Sequence, residues 1–246
     1  MEKGFKLVTG ILDNFLNRLI KRGKMYIDPA FDHQIAGPPR VHIQRQEYFR
    51  FMDFFYIPCL PYKLSQDEVI EICDLRLEYL PKVVDVDLNK VIVDYMTQTI
   101  HRRFVNKVEQ LRVLDFGCGS GLSSRLIIDS LGNVNLKGFD ASENAVKNAF
   151  KNGVDARFAP PGNAMPFADE SFDVVFAVFV MHFSIEKPSL DEIYRVLTQP
   201  GILVYNYYKQ EPPLLRSFLA EIGFMQEQIF YSDLPKNHSI TLCRKK

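Results

Sequence analysis

From Arg112 to its end the chain repeats one pattern: a short apolar run, a turn, then a segment with apolar residues at three- and four-residue intervals. This alternation constrains the fold most, because strands separated by helices rejoin a common sheet as parallel neighbours with the helices covering its faces. "RVLDF" reads as the first strand, and Leu122 to Leu131 as a helix closed by Gly132. "VNLKGF" is the second strand, and Ser142 caps a helix that carries Ala145, Val146, Ala149 and Phe150 and closes at Gly153. "ARFA" is a third strand and "FDVVFAVFV" a fourth, the latter apolar on both faces as a strand buried between helix layers requires. "SLDE" from Ser189 has capping-box spacing and opens a helix with Ile193, Val196 and Leu197 inward, which Pro200-Gly201 stops. "ILVYNYY" is a fifth strand, "LLRSFLAEIG" another helix, and "FMQEQIFY" and "SITLCR" two final strands. The predicted fold is α/β, a doubly wound, seven-stranded, mostly parallel sheet.

Before residue 110 the pattern differs. Phe5, Val8, Ile11, Leu12, Phe15, Leu16, Leu19 and Ile20 form one helical stripe. "KMYID" and "RVHIQ" alternate around "AGPPR" and predict a small hairpin. An aromatic-dense run, "EYFRFMDFFYIPCLPY", follows. "SQDE" from Ser65 starts a helix that "YLPK" ends, and Leu88, Val91, Ile92, Tyr95, Met96 and Ile100 give another helical stripe. The expected organisation is a mainly helical N-terminal extension over 1–108, acting as lid and substrate region, and a sheet domain over 109–246.

Composition excludes several functions. Lys+Arg and Asp+Glu are 30 each in 246 residues, so no global field draws the chain to nucleic acid or to an anionic membrane. The longest apolar run, "VVFAVFVM" from Val174, is too short to span a bilayer. The N-terminus "MEKGFKLVTGILDNF" scatters charges among its apolar residues and does not read as a secretory signal. Cys59, Cys73, Cys118 and Cys243 have no metal-knuckle spacing, so reduced thiols in a cytoplasmic chain, with no metal, are expected.

The motif with chemical content is "RVLDFGCGSG", Arg112 to Gly121, at the first strand-to-helix turn. Ligands of open α/β sheets bind outside the carboxyl ends of the strands where strand order reverses. Glycines there accept positive φ and let a ligand lie against bare backbone, and the next helix offers free N–H groups. A phosphate-binding P-loop needs Gly-Lys-Ser/Thr at its end, whereas Gly121 precedes Leu122 and Ser123. A dinucleotide fingerprint needs glycine or alanine at 122, where leucine stands, which disfavours a nicotinamide-dependent oxidoreductase. What remains is acid-x-G-x-G-x-G with Asp140 ending the second strand, placed to accept hydrogen bonds from both ribose hydroxyls of an adenosine-containing ligand.

In these residues the chain resembles the class I S-adenosylmethionine-dependent methyltransferases, in their small-molecule branch. "VLDFGCGSG" (Val113 to Gly121), "GFDASENAV" (Gly138 to Val146), "MPFADESFDVVFA" (Met165 to Ala177) and "EIYRVLTQPGILV" (Glu192 to Val204) carry the resemblance in the family's order. It implies a Rossmann-like fold, S-adenosylmethionine as cofactor and S-adenosylhomocysteine as product. By the same resemblance Gly117, Gly119 and Gly121 line the methionine part, Asp115 fixes the turn and Asp140 holds the ribose. Ala141 and Ser142 pass beside the adenine, and Cys118 is a small buried filler. The adenine edge falls to Asn163 or Pro161, depending on alignment, with Ala164 and Val178 completing the cofactor site. "APPGNAMPF" is shorter here than the family's corresponding stretch and lacks its common acid.

The implied reaction moves a methyl group to an O, N or C atom of a small organic acceptor, apolar, aromatic or lipid-like. His182, in "FVMHF", is the candidate base, with packing as its competing role. Tyr48, Phe55 and Tyr56 are candidate acceptor walls or the extension's own core, and Asn206 and Tyr207 face the site or end their strand. The lack of an Asn/Asp-Pro-Pro-Tyr run disfavours base methylation of nucleic acid. A non-enzymatic scaffold is the alternative reading, and a homodimer through the N-terminal helices is the expected assembly.

Overall fold

The computed structural model describes residues 14–29, 37–51, 54–59, 64–79, 86–104, 111–132, 134–181, 183, 185–208, 211–229, 234–235 and 238–246. They fall into two compact units, Met1–Ser65 and Gln66–Lys246. Helices that the sequence places with the extension therefore belong to the unit that holds the large sheet.

The first unit is not mainly helical. It is built on an antiparallel sheet of β1 (Ile20–Arg22), β2 (Met25–Ile27), β3 (Arg40–Ile43), β4 (Gln46–Phe51) and β5 (Phe55–Pro58), in the order β1-β2-β5-β4-β3. Of the helical stripe expected over 5–20, residues 14–18 are helical and Ile20 already begins β1; residues before 14 lie outside the described set. The hairpin expected between "KMYID" and "RVHIQ" does not form, since β2 pairs with β1 and β5 while β3 pairs with β4. The β3–β4 turn is made by Gln44 and Arg45, with φ of 49° and 69°. A two-residue hairpin turn of this kind normally announces itself as Asn-Gly or Asp-Gly, so the sequence hides it. Phe15, Tyr26, Val41, Tyr48 and Tyr56 form the core here, with the Phe15 and Tyr56 rings edge-on at 5.4 Å and Tyr26 and Tyr48 at 5.2 Å.

The second unit opens with α1 (Gln66–Tyr79), directly after Ser65, and α2 (Val86–Arg103). Ile92, Met96 and Ile100 of α2 are buried as expected, but Val93 turns inward and Val91 outward. The repeat then follows: β6 (Arg112–Phe116), α3 (Leu122–Leu131), β7 (Asn135–Asp140), α4 (Glu143–Lys151), β8 (Ala156–Phe158), β9 (Phe172–Ala177), α5 (Lys187–Val196), β10 (Leu197–Tyr208), α6 (Pro213–Ile222), β11 (Phe224–Ile229) and β12 (His238–Lys245). Seven strands run in the order β11-β12-β10-β9-β6-β7-β8. β10, β9, β6, β7 and β8 are mutually parallel, and β12 runs antiparallel to both β10 and β11.

Alternate strand residues feed two cores, as a sheet covered on both faces demands. Val113, Val174, Phe176 and Val204 pack with Ile92 and Met96 of α2, Ile127 of α3 and Val146 of α4. Leu114, Val175, Ala177, Leu203 and Tyr205 pack with Leu190 and Ile193 of α5 and Leu215 and Leu219 of α6.

Helix α5 departs from expectation at both ends. It begins at Lys187 with Pro188 in its first turn, and Glu186 rather than Ser189 stands at the N-cap. Proline needs no N–H partner there, so it fixes the start one turn earlier than the capping-box pattern does. The helix ends at Val196 because Leu197 pairs with Phe172; the register then shifts before Ile202 pairs with Val174, and Pro200-Gly201 lies within that irregularity.

Candidate cofactor site

The chain leaves β6 for β7 and β8 on one side, then returns to β9 on the other. Strand order therefore reverses at β6, and the crevice beyond its carboxyl end is where such sheets take ligands. The glycine turn occupies that place. The Gly117 and Cys118 amides donate to the Phe139 carbonyl at 2.8 and 3.0 Å, and the Gly121 amide to the Cys118 carbonyl at 2.9 Å. Gly117, Gly119 and Gly121 all have positive φ, at 74°, 55° and 87°.

The first two glycines serve different ends. A Cβ on Gly117 would lie 2.4 Å from Val180 Cγ2, so this position is closed by the loop after β9. A Cβ on Gly119 would meet nothing within 4 Å. Gly119 thus presents bare backbone to open space.

Two carboxylates frame the turn. Asp115 is fully buried; Ser124 Oγ donates to its Oδ2 at 2.6 Å, while Oδ1 is buried with no hydrogen-bond partner. Burial, helped by the Asp140 charge, pushes the Asp115 carboxyl up to about 7 against the Ser124 bond. Asp140 accepts from the Gly119 amide through Oδ2 at 2.8 Å and from the Ser142 amide through Oδ1 at 2.9 Å. Burial raises its carboxyl, and the Ser142, Gly119 and Ala141 amides work against that rise. Ser142 caps α4 as the sequence predicts, its Oγ accepting from the Ala145 amide at 3.0 Å. Cys118 is buried beneath Gly138, where a Cβ would stand 2.8 Å from its Sγ; burial raises the thiol, which suits a filler rather than a nucleophile.

The other sequence candidates are placed as follows. Asn163 and Ala164 are exposed, and the Asn163 amide donates to the Pro160 carbonyl at 3.2 Å. Val178 is buried just past β9. Asn206 is buried, and its Oδ1 accepts from the Phe179 amide at 2.7 Å, which holds a residue whose φ is 58°. Tyr207 is buried on the opposite face, in the α5–α6 core. Tyr48, Phe55 and Tyr56 are buried within the first unit, Tyr56 donating its hydroxyl to the Pro38 carbonyl at 2.8 Å. His182 lies outside the described residues.

Ser124 and Arg195 are not singled out by the sequence. Ser124, one helical turn past the glycines, secures Asp115; a hydroxyl in the first turn of the following helix is the only hint it gives. Arg195 ties α5 to the stretch before β9, donating to the Met165 carbonyl at 3.1 Å, the Phe167 carbonyl at 2.9 Å and Asp169 at 2.7 Å, and bonding Glu192 as well. The two later motif segments are thus one structural unit. Among the described residues no group of three His, Cys, Asp or Glu side chains could hold a metal ion, and no helix is long and apolar enough to cross a membrane.

Residues 114–205, which span the turn, Asp140 and both later segments, match the family described as a methyltransferase domain. Over these residues the chain is similar to the S-adenosylmethionine-dependent methyltransferases. Among its relatives is an uncharacterized methyltransferase of Schizosaccharomyces pombe, 28% identical over 159 residues, covering 59% of this chain and 60% of that protein. Another is the 2-methyl-6-phytyl-1,4-hydroquinone methyltransferase of a Synechocystis species, 35% identical over 125 residues, covering 44% of this chain and 39% of that protein. The chain therefore matches less than two thirds of the length of either. The crystal structure of Burkholderia thailandensis 1,6-didemethyltoxoflavin-N1-methyltransferase, with bound 1,6-didemethyltoxoflavin and S-adenosylhomocysteine, shares the fold with a TM-score of 0.56. It is 13% identical, over 85% of this chain and all of that one. The methyl donor of the family is S-adenosylmethionine. The residues of the turn fit it: open backbone at Gly119 and an unpartnered buried oxygen on Asp115 are what a polar ligand in the crevice requires.

Proposed function

We propose that the chain transfers the methyl group of S-adenosylmethionine to an O, N or C atom of a small organic acceptor. The observation that carries this is the bond between the Gly119 amide and Asp140, which draws an open glycine turn and a ribose-type carboxylate together at the switch point of the sheet. Gly117, Gly119 and Gly121 would line the methionine part, Asp140 the ribose, and Ala141 and Ser142 the flank of the adenine. Asn163 or Pro161 would meet the adenine edge, with Ala164 and Val178 beside it.

The cofactor, when bound, supplies an electrophilic methyl on a cationic sulfur. What the chain contributes is alignment and exclusion of water. Asp140 orients the adenosine end and the turn backbone fixes the other end. Asn206 holds the Phe179 turn, and His182, three residues on, is the proposed base for an acceptor that must lose a proton. The balanced net charge supports an uncharged or weakly charged acceptor over nucleic acid. The name of the Synechocystis relative supports a lipid-like aromatic one.

The test is methyl transfer from methyl-labelled S-adenosylmethionine to a panel of hydroquinones, phenols, amines and acidic-carbon compounds. Label appearing in an organic-soluble product, and lost in His182→Ala when the acceptor is a phenol, supports the assignment. Cofactor binding with no transfer to any class, nucleic acid included, would favour the scaffold reading.

A further inference from the structure

Helix α1 lies outside the strand–helix repeat and outside the residues matched to the methyltransferase family, yet one of its side chains reaches the cofactor turn. Asp74 Oδ1 accepts a hydrogen bond of 2.6 Å from Ser142 Oγ. Its neighbour Cys73 lies close enough for Asp140, after burial itself, to help push the thiol up to about 12. We infer that Asp74 is a positioning residue for the ribose carboxylate, acting on Asp140 through Ser142; this rests on the cofactor reading above.

Every polar group of Ser142 that bears on the site is committed. Its hydroxyl proton goes to Asp74, its Oγ lone pair to the Ala145 amide, and its own amide to Asp140 Oδ1. A hydroxyl that donates a hydrogen bond accepts a stronger one in turn, so Asp74 reinforces the cap of α4 and fixes the backbone at residue 142. The Ser142 amide then sets one oxygen of Asp140 while the Gly119 amide sets the other. Two donors on opposite oxygens define the plane of the carboxylate and leave its remaining lone pairs in fixed directions. Remove Asp74 and the hydroxyl is free to rotate; the residue that orients one half of the Asp140 carboxylate loses its anchor. The proximity of Asp74 also raises the Asp140 carboxyl, a repulsion that the bond to Ser142 has to outweigh.

The action runs through the ribose contact, so it can be told apart from a general loss of structure. Affinities of wild type, Asp74→Ala and Asp74→Asn are measured calorimetrically for S-adenosylhomocysteine and for its analogue lacking both ribose hydroxyls. Asp74→Ala is expected to weaken S-adenosylhomocysteine by about tenfold while leaving the dideoxy analogue within about twofold. Asp74→Asn, whose amide oxygen still accepts from Ser142, should restore most of the loss. Ser142→Ala removes the same bond from the other end, and adding Asp74→Ala to it should cost little more. Equal loss for both ligands, or no loss with either variant, overturns the positioning role while wild-type binding leaves the cofactor reading standing. A wild type that binds neither compound refutes the cofactor reading, and the role of Asp74 with it.

Discussion

The Gly119 amide donates to Asp140 Oδ2 at 2.8 Å across 21 residues of sequence, joining the end of β6 to the end of β7. With the Ser142 amide on Oδ1, this bond sets the carboxylate before any ligand arrives. Such pre-organisation lowers the cost of ordering the site on binding.

Replacing Asp140 with alanine should weaken S-adenosylmethionine by about 1.5–3 kcal/mol, the range for hydrogen bonds to a charged acceptor. Titration of wild type and variant under one set of conditions measures it. An unchanged affinity would remove Asp140 from the ribose contact.

The glycines should separate folding from binding. Gly117→Ala drives a methyl into Val180, besides its positive φ, and should lower the melting temperature clearly. Gly119→Ala has room, so its folding cost is only the left-handed backbone, about 1–2 kcal/mol, but its methyl fills the space proposed for the ligand. The expected result is a modest fall in melting temperature for Gly119→Ala with cofactor binding abolished. Full binding by that variant contradicts the cradle.

Much of this was legible in the sequence, and the reason is local. The strand–helix repeat, the glycine turn, Asp140 and the Ser142 cap are each written in a few consecutive residues whose chemistry admits few conformations. The first unit was not legible in that way. Its β3–β4 turn uses Gln44 and Arg45 in place of glycine or asparagine, and its sheet order joins β2 to β5 across a long stretch of chain. Tyr48 and Tyr56 fit a substrate wall as well as a core by composition, and only burial shows them inside that unit. Asp74 was missed because its partner Ser142 lies 68 residues on, and the role of Arg195 because the carbonyls it holds lie 28 and 30 residues before it; Ser124 stands nine residues after Asp115, a spacing that no rule singles out.

Asn206 supports the loop after β9. Asn206→Ala leaves the Phe179 amide without its acceptor and should cost about 1–3 kcal/mol of stability. Denaturant unfolding measures this. A loss confined to cofactor or acceptor binding would instead place Asn206 in direct contact with a ligand.

Asp115 gives the unliganded protein a definite pH signature. Its carboxyl sits near 7 in the fold against an ordinary value of 3.8, so between those values the folded state keeps a proton that the unfolded chain has released. Its contribution is complete below about pH 4 and is lost as pH rises through about 7. Asp115→Asn removes the titration, so wild type should lose up to about 3 kcal/mol relative to that variant between pH 5 and pH 8. Urea midpoints at the two pH values provide the comparison, and a constant difference contradicts the raised value.

The most direct test of the central claim is calorimetric titration of the full chain with S-adenosylmethionine and, in parallel, NADH. Micromolar binding of S-adenosylmethionine at one site per chain, and none of NADH, is the expected result. Binding of NADH alone, or of neither, would contradict it.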